Sequence, residues 1–298
     1  MGVCIGNAVD SSVEQGNAQQ RNMKRILLTI CTMAASVTLA AQNLTIDGST
    51  TGNFDDLNGN GNTECNITVT DNASISRIDG SSINNLTTIT LTINDGKGLN
   101  ISGNAKLPYN NTNKSYSTTV TLGESSSLTL GGILYFGTRN ASYTGITQTT
   151  VINMAAGATI TAASIETLAT DATASNSSSL TLNAALAESE IQSIRSGSTF
   201  SRTLVTTTNG FTNYTLGNTE QGIAGNVTLV DIEALAALGM TNVGVVNSID
   251  SIGVNQYGLV MAANKLTLHV SEVPEPATAT LSLLALAGLA VRRRRRTA

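Results

Sequence analysis

Five times in the middle of the chain, two aliphatic residues stand six positions apart with a corner of polar or small residues between them. Val69 and Ile75 bracket TDNAS, Ile93 and Leu99 bracket NDGKG, Ile101 and Leu107 bracket SGNAK, Leu122 and Leu128 bracket GESSS, and Met154 and Ile160 bracket AAGAT. On either side the chain alternates, as in Ile67/Val69, Ile89/Leu91/Ile93, Leu99/Ile101, Val120/Leu122 and Leu128/Leu130. A period of two places successive side chains on opposite sides of a strand, so each run has one buried and one solvated face. A short strand and a tight corner cannot close a core alone; recurring arcs bury their aliphatic side chains by stacking on one another. Composition agrees, because Trp is absent, aromatics are 3%, and Ser, Thr, Asn, Gly, Val, Ile and Leu fill the body, which favours strands and turns over a bundle of bulky side chains.

The expected fold class is therefore mainly β. A right-handed β-helix or solenoid-like body is predicted over residues 42–190, with a β-rich cap containing short helices over 191–271; a β-sandwich is the alternative. From Asn43 to Leu186 the texture resembles the right-handed β-helix passengers of bacterial autotransporters and adhesins. After Asn183 the pattern changes: AALAESEIQSIRSG reads as a short helix with Gly197 near its end, and DIEALAALGM, from Asp231, as another ended by Gly239. Strand-like runs return at Val243 to Val246, Leu259 to Met261 and Lys265 to Val270. A closing cap is required because an open end would expose apolar rungs and unpaired strand edges.

Charge separates the body from its ends. Net charge is −4, yet Arg21, Lys24, Arg25 and Arg292 to Arg296 all lie in the terminal segments, and between Gln42 and Val273 there are 8 basic and 17 acidic residues. An acidic body excludes nucleic acid, whose phosphates need a basic surface. Of Cys4, Cys31 and Cys65, only Cys65 lies in the body, so no intramolecular disulfide framework or Cys-rich zinc site is available there. Met23-Lys24-Arg25 followed by ILLTICTMAASVTLAAQ has the charged start, apolar middle and small-residue end of a secretory leader over residues 23–41. Signal peptidase is expected to cut after Ala40 or Ala41, and residues 1–22 read as an upstream extension that is not native to the protein.

The other end has three parts. Pro274 and Pro276 hold Val273 and Glu275 in extended geometry. An apolar run over 277–291 follows, about 22 Å long as a helix, short for a bilayer but tolerable with local thinning and snorkelling flanks. Arg292, Arg293, Arg294, Arg295 and Arg296 then act as a stop-transfer signal that keeps the extreme C-terminus cytoplasmic. Val273-Pro274-Glu275-Pro276, the short apolar helix and the arginine cluster together resemble the PEP-CTERM sorting signal over residues 272–298. That resemblance implies a Gram-negative envelope, an exosortase that cleaves near the motif, and delivery of the body to the envelope or exterior. It also implies an association with exopolysaccharide or other glycans, and the same tail closes some ice-binding proteins.

No catalytic residue is identified. His269, the single histidine, reads as an outward-facing strand residue in LTLHV and not as a base beside a nucleophile. The chain is expected to be non-enzymatic and to hold no cofactor; a carbohydrate-active enzyme with two carboxylates is the alternative, and it requires charges clustered along one groove. In DDLNGNGNTEC, Asp56, Asn58, Asn60 and Gly61 match positions one, three, five and six of a calcium loop, but Ile67 occupies the place of the bidentate glutamate, so the metal reading stays weak. Thr68/Thr70, Thr88/Thr90, Thr119/Thr121 and Thr159/Thr161 suggest an ice-binding ladder whose registers do not form one regular series. The functional expectation is an exported surface or matrix protein with a structural or adhesive role, transiently anchored in the inner membrane.

Overall fold

The computed structural model describes residues 41–55, 57, 63–79, 86–107, 114–136, 145–168, 177–215, 218–221, 227–262 and 264–272. These residues are mainly β and form three sheets. Sheet 1 has the order β1 (Gln42–Ile46), β3 (Glu64–Val69), β6 (Thr88–Ile93), β9 (Tyr116–Leu122), β12 (Thr147–Met154), β15 (Ser177–Ala184) and β19 (Val227–Leu229). Sheet 2 runs β4 (Ala73–Ile75), β7 (Gly98–Ile101), β10 (Ser127–Leu130), β13 (Thr159–Ala162), β16 (Phe200–Thr207), β22 (Lys265–Val270), β21 (Gln256–Ala262) and β20 (Thr241–Val246). Sheet 3 runs β2 (Asn53–Phe54), β5 (Arg77–Asp79), β8 (Ala105–Lys106), β11 (Ile133–Phe136), β14 (Ser164–Leu168), β17 (Phe211–Thr215) and β18 (Asn218–Gln221).

From β3 to β17 the chain visits the sheets in rotation, so each circuit adds one parallel strand to each sheet. The bracketed corners of the sequence are the bends between sheet 1 and sheet 2 or between sheet 2 and sheet 3. Alternation then becomes stacking. Ile46, Val69, Ile93, Leu122, Met154 and Ala184 stand in register and are all buried, as are Ile67, Leu91, Val120, Ile152, Leu182 and Leu229. Each Val, Ile, Leu or Met among them contributes about 1.5–3 kcal/mol by leaving water, but only when the next circuit covers it. A sandwich would need antiparallel sheets. Among the described residues antiparallel pairing is confined to β16–β22, β21–β22 and β17–β18.

Corners are held by local geometry and by bonds between circuits. Three residues past the buried end of the sheet 1 strand, Gly96, Ser125 and Gly157 take φ of 66°, 54° and 73°. A left-handed residue turns the chain sharply into sheet 2, at no steric cost for glycine and at a cost for serine. Donors left over at the bends find acceptors on the preceding circuit: Gly98 N donates to Asn72 Oδ1 at 2.7 Å, Glu124 N to Asp95 Oδ1 at 2.8 Å and Ile133 N to Asn104 Oδ1 at 2.8 Å.

The two helices anticipated in the C-terminal part are present as α1 (Glu188–Arg195) and α2 (Glu233–Ala236). Between β15 and β16, α1 is fixed by Arg202, whose guanidinium reaches Glu190 Oε1 and Oε2 at 3.1 and 3.0 Å and Ala185 O at 2.7 Å. Glu190 also accepts from Ala187 N at the helix start. The antiparallel trio β16–β22–β21, with β20 beyond it, ends sheet 2.

Candidate contact surface and sorting segment

Outward positions on sheet 1 fall into polar columns that the strand register creates. Thr45, Thr68, Thr92, Thr121, Asn153 and Asn183 form one; Asn43, Asn66, Thr90, Thr119, Val151, Thr181 and Thr228 form the next. The Thr-x-Thr pairs named from the sequence do not align as pairs: Thr88/Thr90 stands opposite Ser117/Thr119, Thr68 stands opposite Thr92, and Thr159/Thr161 lies on sheet 2, although Thr90 and Thr92 do face Thr119 and Thr121. The columns are mixed rather than uniformly threonine, and their amides engage each other. Asn66 Nδ2 donates to Asn43 Oδ1 at 3.0 Å, Asn183 Nδ2 to Asn153 Oδ1 at 2.6 Å, and Asn153 Nδ2 to Thr121 Oγ1 at 3.3 Å.

On sheet 2 the outward row is Ser74, Asn100, Thr129, Thr161 and Thr206, also in register. Charged side chains gather elsewhere. At the corner between sheets 1 and 2, Lys97 Nζ pairs with Asp71 Oδ1 at 3.1 Å, and backbone N–H donation from Asn72 together with Lys97 holds the Asp71 carboxyl below its ordinary range. On sheet 3, Asp79, Lys106, Tyr135 and Glu166 share one register column, with Lys106 paired to Asp79 at 3.2 Å. Strand spacing puts Asp79 and Glu166 about 14 Å apart along the stack, beyond the separations of either glycosidase arrangement.

His269 departs from expectation. It is buried at 8% exposure, and its Nδ1 lies 2.7 Å from Ser201 Oγ across the β16–β22 pair. On its other flank is Gly258, whose missing side chain leaves room for the Val243 methyl and the Gly244 carbonyl of a bulge in β20. Burial lowers the imidazole pKa. The sequence could not show this, since alternation in LTLHV assigns a face and the cover comes from another strand. Cys65 faces the core, and burial pushes its thiol up to about 11. Among the described residues no cluster of three or more His, Cys, Asp or Glu could hold a metal. Asp56, Asn58, Asn60 and Gly61 lie outside the described residues, while Ile67 is a core residue of β3.

The last strand of the body, β22, delivers the chain at Ser271 and Glu272, held by Ser271 N to Gln256 O at 3.0 Å and Asn255 N to Glu272 O at 3.2 Å. Beyond it come Val273, Pro274, Glu275, Pro276, the apolar run and Arg292 to Arg296, all outside the described residues, as is Ala40 at the other end. Residues 272–296 match the PEP-CTERM protein-sorting motif. The PEP-CTERM match covers the proline-flanked glutamate, the apolar run and the five arginines, and it implies export and membrane-associated sorting by an exosortase. It does not extend into the three sheets. No curated protein and no solved structure matches the chain. Among the described residues no helix is long and apolar enough to cross a membrane; the PEP-CTERM apolar run, 277–291, is not one of those described.

Proposed function

We propose that the chain is an exported, non-catalytic display protein of the cell envelope or extracellular matrix, with a structural or adhesive role. Its body is a β-solenoid closed by an antiparallel cap, and it is right-handed because crossovers between parallel strands of one sheet take that hand almost without exception. The observation that carries the reading is the PEP-CTERM match at 272–296. In support, β1 starts at Gln42, directly after the predicted signal-peptidase positions Ala40 and Ala41. The outer faces of sheets 1 and 2 are rows of hydroxyls and amides, suited to many weak contacts, and the two carboxylates of the sheet 3 column are too far apart for glycoside hydrolysis.

The 277–291 run holds the chain in the inner membrane with the arginines in the cytoplasm until the exosortase cuts near Glu275. Replacing Pro274, Glu275 and Pro276 together by alanine is expected to leave a full-length form in the membrane fraction, seen as a larger band on immunoblots, while the parent is shortened and leaves that fraction. Unchanged shortening of the altered chain overturns the sorting role.

A further inference from the structure

Sheet 2 carries a trough on its solvent side that sorting does not require. It is a shallow depression of about 360 Å³ spanning β4, β7 and β10, lined among others by Asn72, Ser74, Gly98, Asn100, Ser127 and Thr129. Gly98 makes it. A Cβ at that position would stand 3.0 Å from Ser127 Oγ and 3.5 Å from Asn72 Oδ1, so any larger residue would fill the space. One wall is the row Ser74, Asn100 and Thr129, continued in register by Thr161 and Thr206 and ended by Lys265.

Two properties of this row distinguish it from the columns of sheet 1, and a third concerns its lining. Ser74, Asn100, Thr129 and Thr161 are exposed, whereas the outer threonines at 68, 90, 92, 119 and 121 are half-buried against their neighbours. None of the four exposed side chains makes a hydrogen bond among the described residues, while the sheet 1 amides pair with one another. No residue lining the trough is charged or aromatic.

A line of unengaged donors and acceptors, repeating at about 4.8 Å along the stack, can bond an extended chain that offers both kinds of group at a similar interval. A neutral sugar polymer does so, with hydroxyls on each ring and a ring-to-ring step close to one circuit. An anionic polymer would find no cation in the trough, since Lys97 is paired to Asp71 at the neighbouring corner. We propose that this trough binds a neutral polysaccharide strand laid along the stack, about one sugar per circuit. The proposal rests on the display reading above and names the ligand class of one of its faces.

The full chain is run in native gels containing hydroxyethylcellulose, xyloglucan, galactomannan or dextran, with alginate as the anionic comparison. Retardation by at least one neutral polymer and not by alginate is expected. The triple variant Ser74→Ala, Asn100→Ala, Thr129→Ala, confined to exposed side chains, should weaken retention about tenfold or more through the lost hydrogen bonds. Gly98→Val, which fills the trough, should do the same. Thr90→Ala with Thr119→Ala on sheet 1 should leave retention unchanged. Absence of retardation by all four neutral polymers, stronger retention by alginate, or unaltered retention of the triple variant overturns the trough. Loss of retention in the sheet 1 variant alone also overturns it while leaving the display reading standing. Recovery of the chain from the cytosol, uncut at both ends, refutes the display reading whatever the gels show.

Discussion

Ser125 holds a left-handed backbone, φ 54°, at a corner where the circuits below and above it use Gly96 and Gly157. An L-residue there carries a cost of roughly 1–2 kcal/mol, so Ser125→Gly is expected to raise the denaturant midpoint, with a gain near 1 kcal/mol after the added flexibility of the unfolded glycine. His269 gives a pH signature. Its folded pKa lies below the ordinary value because burial disfavours the imidazolium, so the unfolded chain binds more protons as the medium acidifies. Stability is complete above about pH 6.5, the unfolded value, and declines as pH falls through the folded pKa. His269→Asn should flatten that portion of a pH–stability curve measured in urea; an unchanged slope would assign it to other groups. Alternation in the sequence disclosed the inward faces at Ile67/Val69, Ile89/Leu91/Ile93, Leu99/Ile101, Val120/Leu122 and Leu128/Leu130, all of them buried. It could not disclose the burial of His269, because Ser201 lies 68 positions away on another strand and the bulge over Gly258 has no sequence signal of its own.

At the level of elements, α1 interrupts the passage from sheet 1 to sheet 2 in the sixth circuit and depends on Arg202. The ion pair with Glu190 is mostly withdrawn from solvent, with side-chain exposures of 11% and 19%. Arg202→Met leaves the Glu190 carboxylate without its main partner, and the expected loss is about 1–3 kcal/mol in urea unfolding. Adding Glu190→Gln should recover part of it, because the amide oxygen can still accept from Ala187 N; equal losses in the single and double variants would show that the pair itself is not the anchor. The helix was legible from the run AALAESEIQSIRSG with Gly197 near its end. Its anchor was not, since an arginine in the strand-like run FSRTLVTT gives no hint of its partner. The trough was half legible. Gly98 and Asn100 flank Leu99 and so face outward, but the row exists only once register places Ser74 and Thr129 beside Asn100.

For the whole molecule, stability is nearly a sum over circuits because each contacts its immediate neighbours. Register makes Thr88 equivalent to Ser117, so deleting residues 88–116 places Ser117 where Thr88 stood and keeps every inner column intact. The shortened chain is expected to keep its β circular dichroism and to unfold in urea with an m-value lower by about a sixth. Loss of the fold would show that the circuits are not interchangeable. The closing trio has a mechanical side. β22 is a central strand, bonded to β16 on one flank and β21 on the other, and the sorting tail leaves directly from it. On the proposed route a pull on that tail would act on a strand bonded along both flanks, so two ladders would have to give before the body began to come apart.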